Sequence, residues 1–300
     1  MLTGHNGSVG ESARTPPGKF PGDAGLGAVS SLLACPACHA PLTIAADALD
    51  CGACQARYAV RDGIARLALG GASETWGQLQ HTPQSTDYQA EYQKVENAAA
   101  YNLAYQDKLL KRSSTRREYE LLRRHVACVG RSRVILDLPC GGGRLTPAFA
   151  DSAGLVIEAD IALGQLIYAR AAESLAPPRV WMTASAFHIP LRDRAVDGAI
   201  SVRLSHHLPT AAERERHLAE LLRVSQRFVI VTFFDYHSLK NRLRRLRRLY
   251  DGQAPKMTMT VDRVAEIAQG HGARLIDAPP LSRIASGHRY ALIVRESAAT

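Results

Sequence analysis

From residue 132 onward the apolar residues gather in short β-branched blocks: Val134–Leu136 ahead of Asp137, Gly154–Asp160, and Arg227–Phe233. Blocks this short, bounded by turn residues, predict buried strands. Between them, Leu163, Leu166, Ile167 and Arg170 recur at helical spacing and predict a helix over Ile161–Glu173. Leu145–Ala150 reads as the start of another, and Val261–Gln269 as one stopped by Gly270. Arg192–Ile200 is a polar turn opening a fourth strand, and Arg274–Asp277 with Tyr290–Arg295 read as two closing strands. Strands alternating with helices predict an α/β fold with a mostly parallel, doubly wound sheet.

Upstream the pattern changes. Residues 1–30 are rich in Gly, Ser and Pro and read as disordered. Leu32-Leu33-Ala34-Cys35 has the outline of a lipoprotein cleavage site, but Asp23 and nearby glycines interrupt the apolar stretch a signal peptide needs. The chain is therefore expected in the cytoplasm, and no apolar run is long enough to span a membrane. Ser85–Ala127 is helical in composition and lacks Pro, with Tyr88 and Tyr92, then Tyr101 and Tyr105, four apart on shared faces. This divides the chain into a disordered stretch (1–30), a cysteine-rich unit (31–70), a helical linker or cap (71–130) and the α/β domain (131–297).

Cys35-Pro36-Ala37-Cys38 and Cys51-Gly52-Ala53-Cys54 are two C-x₂-C doublets separated by twelve residues. Each doublet places two thiolates on one tight turn, and two facing turns complete a tetrahedral zinc site. Redox chemistry is the competing use of such doublets. Four thiolates leave no open coordination position, so a zinc here is structural. Leu42, Ile44, Leu49, Tyr58, Val60 and Ile64 supply short strands and give this unit an apolar set of its own. The C-P-x-C-x-x-P-L opening and Y-x-V-x-D-G-I ending resemble the Trm112-like zinc ribbon.

Val134 to Arg144 reads VILDLPCGGGR, a strand, an acid and a glycine-rich turn that lets a backbone approach a nucleotide closely. Asp160, 23 residues after Asp137, closes the second strand where nucleotide-binding α/β folds place an acceptor for ribose hydroxyls. These segments resemble the class I S-adenosylmethionine-dependent methyltransferases of the type 11-like group. Asp137, Gly141 and Gly143 match the D-x-G-x-G-x-G turn, with Pro139 in place of its first glycine. DIALGQLIYAR resembles the D-I-S-x-x-x-L-x-x-A-R segment, and ASAFHIPL the D-A-x-x-L-P-F segment, with Ser185 where the family often has Asp. The resemblance implies a Rossmann-like, seven-stranded sheet whose last strand is antiparallel and inserted beside the fifth. It also implies S-adenosylmethionine held by Asp137, Pro139, Gly141, Gly143 and Asp160, with Ser185, Ala186 and Phe187 at the adenine and Arg203 at the same edge. Helices before the first strand wall the acceptor pocket in many members.

Ligands bind at the carboxyl ends of such strands. There the fourth strand ends in Arg203-Leu204-Ser205-His206-His207 and the fifth in Phe233-Phe234-Asp235-Tyr236-His237. His206 or His207 is the candidate general base, and Asp235, Tyr236 and His237 are candidate acceptor contacts. Neither N-P-P-Y nor D-P-P-Y follows the fourth strand, which argues against methylation of exocyclic base amines. The absence of Pro-Cys there argues against the covalent route to 5-methylcytosine.

The net charge of +9 leaves the chain attractive to phosphates or anionic lipid, although Arg-rich composition throughout is a sufficient alternative. Ser238–Tyr250 concentrates that charge: Leu239, Leu243, Leu246 and Tyr250 share a helical face among Lys240, Arg242, Arg244, Arg245, Arg247 and Arg248. Because this helix follows the acceptor loop directly, its apolar stripe is expected to lie over a small-molecule pocket. RNA phosphate and an anionic membrane surface are the other partners that such a helix fits. The expected activity is methyl transfer to a small-molecule or lipid-like acceptor. Methylation of a ribosomal or transfer RNA base, and a non-catalytic module that holds the cofactor or a partner, stand as alternatives.

Overall fold

The computed structural model describes residues 23–68, 94–107, 109–171, 177–251 and 257–296, with the backbone alone for 104–107, 109–111 and 248–251. Tyr88 and Tyr92 lie outside the described residues, as does the side chain of Tyr105. Residues 23–30, expected to be disordered, are packed into the fold. Asp23 accepts hydrogen bonds from the Arg170 guanidinium and from Trp181 Nε1 at 2.8 Å, and Val29, in the short 3₁₀ helix Leu26–Leu32, is fully buried.

The cysteine-rich unit forms four short antiparallel strands, β1 (Leu42–Ile44), β2 (Ala48–Cys51), β3 (Arg57–Arg61) and β4 (Ile64–Arg66). Two helices follow, α1 (Val95–Asp107) and α2 (Leu109–Val129). Then come β5 (Ser132–Asp137), β6 (Ala153–Asp160), α3 (Leu163–Ala171), β7 (Arg179–Thr183) and β8 (Val196–Ser201). The chain continues through α4 (Ala211–Val224), β9 (Ser225–Phe234), α5 (Leu239–Asp251), α6 (Val261–Gly270), β10 (Ala273–Asp277) and β11 (His288–Arg295). Thr210 and Glu213 close a reciprocal capping box at the start of α4, and Thr260 caps α6.

The last seven strands form the expected sheet in the order β7-β6-β5-β8-β9-β11-β10. β11 runs antiparallel between β9 and β10, as the resemblance implied. The sheet does not stop there. β4 pairs in parallel with β7, Ile64 opposite Trp181, so the ribbon extends it to eleven strands. The expectation that the ribbon has its own apolar set is therefore overturned. Cys35, Leu42, Leu49, Cys51 and Tyr58 belong to one continuous buried cluster with Leu136, Val180 and Leu191. Four strands of three to five residues are too short to bury much by themselves, and the open edge of β7 supplies both hydrogen bonds and apolar cover.

A second expectation fails after the glycine-rich turn. Leu145–Ala150 does not start an α-helix; two single 3₁₀ turns, Thr146–Ala148 and Ala150–Ser152, lead directly into β6. Only nine residues separate Gly143 from Ala153, and a parallel crossover through a helix needs about a dozen. Phe149, 1% exposed, fills the space beneath this connection and packs in one cluster with Leu121, Leu122 and Val126 of α2. In α3 the buried residues are Gly164, Gln165, Leu166 and Ala169, whereas Ile167 is exposed. The helix is there; its inward face is rotated from the one that Ile167 suggested.

Candidate active site

Two adjacent features occupy the carboxyl edge of the sheet. The first is the glycine-rich turn between β5 and β6. Gly141 and Gly143 adopt φ of 55° and 72°, a region that side chains disfavour. Cys140 N donates to Ala159 O at 2.9 Å, which ties the turn to β6. Asp160 accepts from Gly141 N at 2.9 Å and from Ala162 N at 2.8 Å, and the Ile161 amide also donates to it. A carboxylate has about four lone-pair sites, so acceptor capacity remains for a hydroxyl donor. Burial pushes the Asp160 carboxyl up to about 6, against the pull of these backbone amides.

The close approach falls on a glycine that the sequence reading did not single out. A Cβ on Gly142 would meet the Asn102 carboxamide at 2.2 Å, whereas one on Gly141 would meet nothing within 4 Å. Asn102 comes from α1 and donates to Gln165 Oε1 of α3 at 3.0 Å, so α1 roofs one side of the turn. The other side, at Gly141, faces open space beside the Asp160 carboxylate. That arrangement fits an adenosyl cofactor: backbone free of side chains, with a ribose acceptor alongside. Asp137 lies fully behind the turn, close to Glu158 and bonded by Thr146 Oγ1, and burial pushes its carboxyl well up. Its bond from Thr146 ties the end of β5 to the far side of the turn. Pro139 follows a cis peptide bond. Ser185 spends its hydroxyl on Phe187 N at 3.2 Å and is buried, while Ala186 and Phe187 are half-buried beside it.

The second feature lies at the ends of β8 and β9. The β8 loop turns through Arg203, whose φ of 65° is unusual for a side-chain-bearing residue, into a single 3₁₀ turn over Ser205–His207. The His206 ring lies 4.4 Å from Phe234, 4.8 Å from His288 and 4.1 Å from His207, centroid to centroid. Arg244 of α5 stands 5.4 Å over the Phe234 ring. Burial, followed by the surrounding Arg203, His207, Arg244 and Lys240, pushes His288 down to about 3, so its imidazole is neutral at physiological pH. His206 thus sits in a box with one cationic side. His207 and His237 are exposed.

The other expected acceptor contacts are divided. Asp235 is 2% exposed with both oxygens engaged, Oδ1 by His237 N at 2.9 Å and Oδ2 by Arg289 Nε at 2.7 Å. It anchors the loop. Tyr236 is 43% exposed, with Arg245 Cζ 3.8 Å over its ring, and lines a cavity of about 330 Å³ with Arg214, Met259 and Arg263. Arg203 is committed to Glu118 of α2, Nε to Oε1 at 2.7 Å. Glu118 also accepts from Arg144 of the glycine-rich turn at 2.6 Å. One buried carboxylate therefore joins the glycine-rich turn to the β8 loop. Burial alone would raise the Glu118 carboxyl, but the two guanidiniums outweigh it and hold it low.

His288, Glu118, Asn102 and His217 were missed by sequence reasoning. His288 sits opposite Phe234 because β11 runs antiparallel and so begins at the ligand edge. His217, on α4, lies 3.0 Å from Ser201 Oγ and is pushed by burial down to about 4.

In the ribbon, the four cysteine sulfurs lie within 4.8 Å of one another, with Cys35–Cys54 at 3.6 Å and Cys38–Cys51 at 3.5 Å. Sulfurs about 2.3 Å from a zinc form a tetrahedron with edges of roughly 3.8 Å, which this set fits. The two knuckles are alike. His39 and Gln55, each just after its doublet, take φ near 60° and return their amides to Cys35 O and Cys51 O.

Residues 136–230 match the family model described as a methyltransferase domain. Residues 28–63 match the one described as Trm112p-like protein. The chain therefore carries a methyltransferase domain over residues 136–230 and a Trm112-like segment over residues 28–63. Magnesium protoporphyrin IX methyltransferase of Synechocystis, solved with SAH, is similar to this methyltransferase at a TM-score of 0.59 and 16% identity, over 71% of this chain and 100% of that one. Human N-acetylserotonin methyltransferase, solved with SAM, is similar at 0.50 and 15%, over 72% and 61%. These likenesses show the fold. No curated protein matches the chain in sequence.

Proposed function

We propose that this methyltransferase domain transfers a methyl group from S-adenosylmethionine to a small-molecule or lipid-like acceptor bound between the β8 and β9 loops. The observation that carries the reading is the pairing, on one sheet edge, of an open glycine turn beside Asp160 with the aromatic box of His206, Phe234 and His288. Both solved relatives bear the names of small-molecule acceptors. When bound, the cofactor supplies an electrophilic methyl on a sulfonium. An acceptor lone pair forms the new bond to that carbon, the sulfur–carbon bond breaks, and the sulfur keeps its electron pair as a neutral thioether. The acceptor's proton must then leave, and of the two imidazoles in the box His206, on the β8 loop, is the one that would take it. Arg244 over Phe234 and the neutral His288 exclude water from that side, and holding the acceptor in line is the larger part of the rate enhancement.

The test has two parts. Asp160→Ala is expected to weaken S-adenosylhomocysteine binding at least tenfold by calorimetry, and parent-like affinity would remove the cofactor assignment. With methyl-labelled S-adenosylmethionine, label should enter a lipid or small-molecule extract, and His206→Asn should slow it about a hundredfold without changing cofactor affinity. Label entering ribosomal or transfer RNA instead would replace the acceptor class, and cofactor binding with no acceptor labelled in any fraction would favour a non-catalytic module.

A further inference from the structure

Helix α5 is turned the opposite way from the one its sequence suggests. Leu239, Leu243 and Leu246 fall at i, i+4 and i+7 and share one face. They are 46%, 50% and 59% exposed. The opposite face holds the protein: Asn241 is 2% exposed and donates to Asp235 O at 2.8 Å, Arg244 stands over Phe234, and Arg245 donates to Tyr236 O at 2.8 Å. A helix that only roofs a pocket buries its leucines and shows its charges. This one shows its leucines and turns Asn241, Arg244 and Arg245 inward.

A neighbouring loop extends the apolar face. Ile284 is 74% exposed, and its loop is fixed against the start of α5 by Lys240 Nζ donating to Ala285 O at 2.6 Å. Contact there is close, since a Cβ on Gly287 would meet Asn241 at 2.5 Å. Exposed Arg242 and Arg247 flank the leucines on α5, Arg283 is exposed beside Ile284, and α5 contains no acid before Asp251. We propose that α5 and the 282–287 loop dock on an anionic lipid surface, with the leucines and Ile284 entering the headgroup boundary and the arginines meeting lipid phosphates. Leucines would serve no purpose against RNA phosphate. A second copy laid on the same patch would bring two arginine-rimmed faces together, with repulsion at the rim. With 13 residues α5 is too short to span a bilayer, so the contact is interfacial. The same docking sets the aromatic box, behind Arg244, at the lipid surface.

The experiment is co-sedimentation of the full chain with vesicles of phosphatidylcholine alone or mixed with phosphatidylglycerol. Sedimentation is expected with the mixed vesicles only, and weakens with salt. Changing Leu243→Gln and Leu246→Gln together should lower the partition about a hundredfold, about tenfold for each leucine withdrawn from the boundary. Changing Arg242→Gln and Arg247→Gln together should lower it about thirtyfold, at about 1 kcal/mol for each arginine. Both variants should keep the parent's circular dichroism and affinity for S-adenosylhomocysteine, so the lipid result stands or falls separately from the cofactor assignment. The proposal is overturned if the parent stays in the supernatant, or if the leucine variant sediments like the parent. It is equally overturned if ultracentrifugation shows a dimer that the leucine variant dissolves, or if RNA binding is lost in the arginine variant alone.

Discussion

The place of Asp160 beside the glycine turn is legible at the residue scale because it depends on local order: a strand, an acid and the neighbouring turn. That of His288 is not, because its neighbours come from β9 and the β8 loop and meet it only through the antiparallel β11. The two buried histidines carry a pH prediction. His217 and His288 are pushed from 6.5 to about 4 and about 3, so both are neutral in the folded protein near pH 7. As pH falls below 6.5 the unfolded chain takes up protons that the folded one refuses, and stability is lost until the folded histidines begin to titrate. Asp160 works against this trend, since its raised carboxyl binds a proton in the folded state first, near 6. Comparing His217→Gln with the parent isolates one contribution. Between pH 6.5 and 5 the parent should lose about 1.5 kcal/mol more than the variant in denaturant unfolding. Equal losses in the two proteins would mean that His217 is charged when folded.

Among the elements, periodicity located most strands and helices but not which way each faces. Ile167 and the α5 leucines lie at apolar helical spacing, yet they are exposed, because other positions of the same helices face inward: Gln165 and Leu166 in α3, Asn241 and Arg244 in α5. The missing helix after the glycine turn has another origin. α2 fills that layer from elsewhere in the chain, and Phe149 packs against it. α2 also supplies Glu118, 0% exposed, between Arg144 and Arg203. Glu118→Gln would leave two guanidiniums facing a neutral amide, and losing one partner of a buried ion network typically costs about 3–5 kcal/mol. The expected result is destabilisation of that order, together with weaker S-adenosylhomocysteine binding, because Arg144 follows the cofactor turn directly. Glu118→Asp should restore part of both. A glutamine variant with unchanged stability and affinity would show that the two loops are held independently.

On the scale of the whole molecule, sequence gives two units, because the cysteine doublets and the glycine turn are separate motifs with separate spacing. The structure gives one sheet, because β4 satisfies the edge of β7 and the apolar residues of the ribbon merge with those around Leu136 and Val180. No pattern in either segment encodes that pairing; it depends on the match between two strand edges, which alternation alone does not specify. It changes what removing the metal should do. Were the ribbon independent, Cys38→Ser or a strong chelator would unfold it alone and leave the methyltransferase core melting as before. With a shared sheet, loss of the zinc site should lower a single cooperative transition seen alike by ribbon and core probes. The shift should be about 2–4 °C for each kcal/mol lost in a chain of this size. Exposure of the β7 edge, with Val180, Trp181 and Met182 along it, should also make the variant prone to aggregate. Calorimetry with zinc analysis checks this directly: one molar equivalent of zinc and one transition are expected in the parent. Two separated transitions, the upper one insensitive to chelator, would mean that the strand pairing contributes little to the core.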